Sequence, residues 1–387
     1  MKSPRPTPLC FARLRLENWK NFAAADVALA PRVFLVGPNA SGKSNFLDAF
    51  RFLRDIASSG GGLQEAVRRR GGLRAIRSLA ARRNSDVTIE AVVADPEGQP
   101  TWQYELTFNL GPRDLPMIRR ECVRRGNRTF VDRPNRDDHE DPERLTQTHL
   151  EQVTANRDFR ELGLFFASVR YLHVVPQLVR EPDRSVGRSQ DPYGGDFLEQ
   201  IARTPEKTRQ ARLRRIAKAL AVALPQLAEI ELWRDKRGIP HLRGRYQHWR
   251  PRGAWLTEEQ FSDGTLRLMG LLWVAMDGQG PLLLEEPELS LHPAVVRHLP
   301  QMFARLHRAT ARQVILSSHS PELLHDDGIG LDEVLLLLPG PEGTAVRPAG
   351  DFAEIRQLLE QGLPLAEAVL PLTRPEHAEQ LSLFGDV

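Results

Sequence analysis

The stretch 37-GPNASGKS-44 sets two glycines, a lysine and a hydroxyl at the spacing G-x-x-x-x-G-K-S. Glycines in such a run let the backbone curl until successive N–H groups point inward, a concavity that holds an anion. Lys43 adds a cation long enough to reach the β- and γ-phosphates of a nucleotide, and Ser44 offers a hydroxyl to Mg2+. The apolar residues 33–36 come before it and 45-NFLDAF-50 follows with helical spacing. The stretch therefore reads strand, loop, helix, with the positive end of the helix at the loop. Candidate nucleotide contacts are Gly37, Pro38, Asn39, Ala40, Ser41, Gly42, Lys43, Ser44 and Asn45.

Far along the chain, 281-PLLLEEPELSLHP-293 ends an apolar run in two adjacent carboxylates. A short apolar run bounded by turn signals reads as a buried strand, and ligands gather past the carboxyl ends of such strands. Glu285 then suits the metal side of a nucleotide site, and Glu286 suits a base that polarises the attacking water. Just upstream, 260-QFSDGTLRLMG-270 opens an amphipathic helix. Ser262 is a natural N-cap there, and the free N–H groups from Ser262 to Thr265 could receive an anion. Downstream, 317-SSHSP-321 sets His319 at the end of another strand.

The elements around these residues follow from patterning. Residues 11–19 and 27–36 read as strands, 44–57 as a helix, and 58–72 as a Gly-rich loop around a short helix. In 102-WQYELTFNL-110 the residues Trp102, Tyr104, Leu106 and Phe108 alternate with polar ones, the period of a half-buried strand paired with 87–93. The polar stretch 132–144 reads as an open loop, and His139 among its acids as solvated. The run 169-VRYLHVV-175 reads as a buried strand ending at Gln177, and 206–224 as a helix followed by strands at 228–233 and 239–244. The last third alternates helix and strand, with a single helix over 293–307, the rhythm of a parallel sheet. The expected division is 1–90 and 251–345 as two parts of one head, 91–250 as an inserted β/α lobe, and 346–387 as a C-terminal helix and tail.

Composition sets limits. The chain has 387 residues, 41% hydrophobic and 27% charged, as in a globular protein. No run approaches a membrane span, and the first residues lack the apolar core of a signal peptide, so a cytoplasmic location is expected. Cys10 and Cys122 suggest neither a disulfide framework nor a zinc site. Only six of the 53 basic residues are Lys. The Arg runs at 68–70, 82–83, 119–120, 124–125 and 212–215 could track phosphates, or form a solvated face paired with the 50 acids.

Phosphate loop, Ser-x-Gly helix start, twin acids and strand-end histidine occur in the order of the ABC-type ATPase superfamily. The sequence resembles its RecF/OLD/SMC branch, and within it the stand-alone AAA-type ATPases related to the OLD family, on 14-LRLENWKNF-22, 37-GPNASGKSN-45, 285-EEPELSLHP-293 and 317-SSHSP-321. That resemblance implies an α/β P-loop head with a mixed sheet flanked by helices and an inserted α+β lobe. It implies ATP and Mg2+ as cofactors, and a homodimer in which Ser262 and Gly264 of one copy cap the ATP of the other. Glu286 would be the base, His319 would touch the γ-phosphate, and Ser290 would lie in the loop crossing the interface. Gln177 would join Ser44 and Glu285 at the metal. The signature reads Phe-Ser-Asp-Gly-Thr where Leu-Ser-Gly-Gly-Gln is common, and Asp263 would weaken the γ-phosphate contact.

The implied role is ATP hydrolysis in a DNA-associated process, repair or anti-phage defence, with a separate effector such as a Toprim-like protein, since only 68 residues follow His319. The alternatives are a slow or non-hydrolysing ATP switch that gates a partner, and a transporter ATPase subunit. No coiled coil long enough for a tether is visible. The tail 379-EQLSLFGDV-387 resembles a sliding-clamp peptide through Gln380, Leu381, Leu383 and Phe384, or docks on its own domain.

Overall fold

The computed structural model describes residues 8–81, 85–184, 191, 193–247 and 254–374. Gln380, Leu381, Leu383 and Phe384 of the tail, and Arg82 and Arg83, lie outside these residues. The chain forms two compact units, one of residues 1–169, 279–283 and 300–387, the other of 170–278 and 284–299.

The first unit opens with β1 (Cys10–Trp19), β2 (Phe22–Ala28), β3 (Arg32–Val36) and α1 (Lys43–Ala57), then α2 (Leu63–Arg68) and α3 (Leu73–Ile76). It continues through β4 (Val87–Ala94), β5 (Pro100–Leu110), β6 (Pro116–Arg125), β7 (Arg128–Arg133), α4 (Arg136–Glu140) and α5 (Arg160–Ala167). The chain then builds the second unit with β8 (Arg170–Leu172), α6 (Pro176–Val179), α7 (Phe197–Arg203), α8 (Glu206–Ala223), β9 (Leu227–Arg234), β10 (Pro240–Tyr246), β11 (Ala254–Thr257) and α9 (Asp263–Met276). β12 (Leu282–Glu285), whose first two residues count with the first unit, and α10 (Pro293–Val296) follow. The first unit is completed by α11 (Leu299–Thr310), β13 (Val314–Ser318), β14 (Val334–Gly340), β15 (Gly343–Pro348), α12 (Ala353–Glu360) and α13 (Leu365–Val369).

In the first unit β3 lies between β13 and β14 and runs parallel to both, pairing Val36 with Ser318 and Phe34 with Val334. A parallel strand covered on both faces needs a continuous apolar run, and Val33, Phe34, Leu35 and Val36 are all buried. A second sheet is antiparallel in the order β2-β1-β4-β5-β6-β7. Its strand β5 shows the expected alternation, with Trp102, Tyr104, Leu106 and Phe108 buried and their neighbours half-exposed. Between the sheets α1 buries Phe46, Phe50 and Phe52, and Phe11 meets the Phe50 ring edge-on at 4.7 Å. Such aromatic pairs add about 0.5–1.5 kcal/mol beyond their buried area.

Three sequence expectations are corrected. The polar stretch 132–144 is not an open loop but carries α4, whose start is closed by reciprocal bonds between Asn135 and Asp138. The residues around it are tied to the sheet by Arg133, which is 1% exposed. Its guanidinium meets Asp138 at 2.8 Å and Glu121 at 3.1 Å, and also donates to the carbonyls of Arg144 and Gln147. Burial, with Arg133 nearby, pushes the His149 imidazole down to about 4. The run 169–175 gives a strand of three residues, all half-exposed, because the backbone leaves the ladder before His173 and turns into α6 at Pro176. The expected helix over 293–307 is two, α10 and α11, because Pro300 lacks an N–H and fits only the first turn of a helix.

In the second unit β9, β10 and β11 form an antiparallel sheet in the order β11-β10-β9. Helix α8 buries Leu213, Ile216, Ala217 and Leu220 on one face. Its Arg212 pairs with Asp277 at 2.8 Å and lies over the Trp273 ring, whereas Arg214 and Arg215 are exposed.

Candidate nucleotide site

The loop between β3 and α1 belongs wholly to the first unit. Gly42 sits at φ 96 and Ala40 at φ 62, left-handed conformations that curl the chain. Gly37 answers a different need: a Cβ there would lie 2.7 Å from the Leu337 carbonyl oxygen and 2.6 Å from Ser41 Oγ. Lys43 Nζ donates to the carbonyls of Gly37 at 2.8 Å and Pro38 at 3.0 Å, so the ammonium lies against the loop backbone. Ser41 Oγ is buried with no hydrogen-bond partner among the described residues. A buried hydroxyl left in this way is costly unless something polar reaches it.

The loop is braced by the first hairpin. Asn21 Nδ2 donates to the Ser41 carbonyl at 2.9 Å and to Thr344 Oγ1 at 2.7 Å, and Asn21 Oδ1 accepts from Asn45 Nδ2 at 2.7 Å. Lys20, in the same turn, pairs with Asp48 of α1 at 2.7 Å. Burial alone would raise Asp48, but Arg70, Lys20 and Arg51 hold its carboxyl down to about 2.

Two clefts of the first unit open beside this loop. One, of about 1000 Å³, is lined by Lys20, Asn21 and Asn45 together with Arg74, Arg77 and Ser78. The other, of about 680 Å³, is lined by Gly37, Pro38 and Asn39, by His319 and His325, and by the C-terminal residues Glu367 and Arg374. His319 reaches it because β13 runs parallel beside β3, so both strands end at one sheet edge. Sequence reading named the loop and His319 but missed Lys20, Arg74 and Arg77. The 14-LRLENWKNF-22 stretch held the signal for Lys20; nothing local marks the two arginines.

The second unit carries the remaining candidates. Glu285 ends β12 and accepts a hydrogen bond from the Tyr171 hydroxyl of β8. Glu286 follows at φ 44 and Ser290 at φ 61, both in the left-handed region. Ser262 is the N-cap of α9: its Oγ accepts from the Thr265 N–H at 3.2 Å, a cap worth about 1 kcal/mol. The backbone of Ser290 packs on the start of this helix, and a Cβ on Gly264 would lie 2.4 Å from the Ser290 carbonyl oxygen. Gly264 is therefore required by close approach whatever else it contacts. One turn on, the Arg267 Nε is buried with no hydrogen-bond partner among the described residues. Burial pulls that guanidinium below its usual range, against the pull of Asp263 and Glu286. Gln177 is exposed on α6. Among the described residues no group of three or more His, Cys, Asp or Glu could hold a metal, and no helix is long and apolar enough to cross a membrane.

A family described as "AAA domain, putative AbiEii toxin, Type IV TA system" matches residues 32–325, more than half of the chain. The chain belongs to this AAA-domain family. No curated protein matches it. Among solved structures it is similar to an SMC head bound to the C-winged helix domain of ScpA, with a TM-score of 0.50 at 14% identity over 87% of this chain and 96% of that one. It is also similar to the SMC head domain with an extended coiled coil bound to the C-terminal domain of ScpA derived from Pyrococcus furiosus, with a TM-score of 0.50 at 12% identity over 91% and 99%. The fold of this AAA-domain protein is thus α/β and similar to the ABC-type ATPase heads of SMC proteins.

Proposed function

We propose that the chain binds and hydrolyses ATP as an ABC-type ATPase of the OLD-like branch, and that two copies close over ATP to act in a DNA-associated process with a separate effector. The observation that carries this reading is the sheet edge of the first unit, where the phosphate loop and His319 line one cleft. Backbone N–H groups of the loop from Asn39 to Asn45 and the Lys43 ammonium hold the β- and γ-phosphates, and the orphaned Ser41 Oγ gains a phosphate partner. Lys20, Arg74 and Arg77 line the neighbouring cleft and are assigned to the rest of the nucleotide. Ser44, Glu285 and Gln177 offer a hydroxyl, a carboxylate and an amide oxygen, the hard oxygen donors that Mg2+ takes. When bound, that ion neutralises charge on the phosphates. Glu286 takes a proton from the attacking water, and His319 stabilises charge on the γ-phosphate. The segment 91–250 belongs to this reading as an inserted lobe.

Capping in trans is tested through Ser262. Ser262→Arg places bulk and a misfitting side chain where the γ-phosphate of the other copy would sit. It is expected to leave nucleotide binding by the single chain within about twofold and to block the ATP-dependent dimer, read by light scattering in a Glu286→Gln background. A dimer that forms equally well with Ser262→Arg refutes capping by this segment.

Nucleic-acid contact is assigned to the basic residues that the fold leaves at the surface. Arg70 is spent on Asp48 and Asp55, and Arg68 and Arg69 on Glu65. Arg119, Arg214 and Arg215 have no ion pair among the described residues. Binding of duplex DNA by the ATP-loaded protein is expected to fall roughly a hundredfold or more between about 50 and 200 mM salt through counterion release. Reversing Arg214 and Arg215 to Glu should flatten that slope. Anisotropy titrations check both, and salt-independent binding assigns these residues to solubility alone. A slow or non-hydrolysing switch uses the same residues; turnover measurements separate it from the first reading.

A further inference from the structure

We propose that Arg180 is a positioning residue for the capping segment: it neutralises Asp263 and fixes the turn around Ser262, so that the start of α9 can receive an anion. This rests on the reading of that segment as the cap over a terminal phosphate.

The start of α9 faces a conflict of charge. The Ser262 hydroxyl and the N–H groups of Asp263 and Gly264 suit a phosphate, whereas the Thr265 N–H, expected from sequence to be free, is taken by Ser262 Oγ. Asp263, the first helical residue, puts a carboxylate in the same turn. A carboxylate there supports the helix by facing its positive end, but it repels an incoming phosphate. The sequence alone therefore predicts a weakened cap. The structure supplies what the sequence did not show. Arg180, directly after α6, sends one guanidinium nitrogen to Asp263 Oδ1 at 2.6 Å and to the Phe261 carbonyl at 2.8 Å. Both partners flank Ser262, so one side chain pins the turn from either side. Phe261 is itself buried, which fixes the near end. The far end is fixed by Ser262 Oγ, which contacts Thr265 Oγ1 at 2.8 Å, and by Ser290 packed on Gly264. The side chains of Arg180 and Asp263 are 24% and 39% exposed, so the pair lies at the surface where a second molecule can meet it.

The clamp also comes from a telling place. Arg180 follows Gln177 by less than one helical turn, and both belong to the α6 segment. A purely structural ion pair would predict that loss of either partner matters equally. Charge compensation predicts an asymmetry: losing Arg180 leaves the Asp263 carboxylate facing only the half-buried Arg267, whereas losing the Asp263 charge leaves Arg180 only the Phe261 carbonyl to hold.

The experiment uses the full chain in the Glu286→Gln background, with Arg180→Ala, Asp263→Asn and the double variant. ATP-dependent dimerisation is followed by light scattering, and nucleotide affinity of the single chain by titration. Arg180→Ala is expected to raise the protein concentration for half-dimerisation by roughly tenfold, the scale of a lost charged hydrogen bond. ATP affinity of the single chain should be unchanged. Asp263→Asn alone should lie within twofold or so of the parent, and the double variant should recover most of the loss. Dimerisation unaffected by Arg180→Ala, or a loss not relieved by Asp263→Asn, overturns the compensation. A second readout does not depend on dimers: in nucleotide-free protein, Arg180→Ala should speed hydrogen exchange at residues 261–266 severalfold, while Arg180→Lys speeds it less. If the parent stays monomeric with ATP, capping in trans falls, and unchanged exchange then removes the clamp as well. Thermal unfolding of each variant identifies any that fails to fold, and Arg180→Lys then takes the place of Arg180→Ala.

Discussion

Glu286→Gln is expected to leave ATP bound and to slow its hydrolysis by roughly 10²–10⁴-fold, the range that a positioned general base contributes. The amide keeps the shape of the carboxylate but cannot take a proton. Glu286 sits at φ 44, a strained setting for a residue with a Cβ, and Gln tolerates that region no better and no worse. The substitution therefore changes chemistry without changing the backbone. Single-turnover measurement of phosphate release, beside a nucleotide-binding titration, checks both halves. Turnover at the parent rate would move the base to another residue.

The second large effect is at Lys43. Lys43→Ala should weaken ATP binding by at least about a hundredfold, the combined scale of two charged hydrogen bonds to phosphate. The same change removes the bonds from Nζ to the carbonyls of Gly37 and Pro38, so the loop also loses an internal brace. Lys43 is buried, and its removal deletes a buried cation rather than stranding one, so the fold should survive. Isothermal titration with ATP, paired with a thermal scan, separates lost affinity from lost structure. Unchanged affinity would place the phosphates elsewhere.

Most of the loop was legible because its chemistry is local. Gly42, Lys43 and Ser44 carry their requirements in consecutive positions, and the strand before them and the helix after them show in the apolar spacing. The alternation in β5 was legible for the same reason: half-burial imposes a period of two within one segment. What stayed hidden depends on distant partners. Arg70 looked like part of a surface run and is instead enclosed by Asp48 and Asp55. Asp263 looked like a defect in the capping segment until Arg180 appeared beside it. Pairing across such separations leaves no trace in composition or periodicity. α4 was a different kind of miss. Asn135 and Asp138 stand at the spacing of a reciprocal helix cap, yet Pro134 and the density of acids outweighed that signal.

The place of β3 in its sheet bears on how the protein is made. The two strands that flank β3, β13 and β14, come some 280 and 300 residues after it in the chain. At synthesis rates of about 5–20 residues per second the delay is on the order of 15–60 s. Through that interval the nascent chain carries an apolar strand with both edges unpaired, the kind of segment that recruits neighbours into aggregates. ATP offers no early rescue, because the cleft beside the phosphate loop includes His319 and cannot exist until β13 is in place. Completion of this sheet thus waits on strands made long after β3, and slow production or chaperone depletion should be felt as loss of soluble protein before any loss of specific activity.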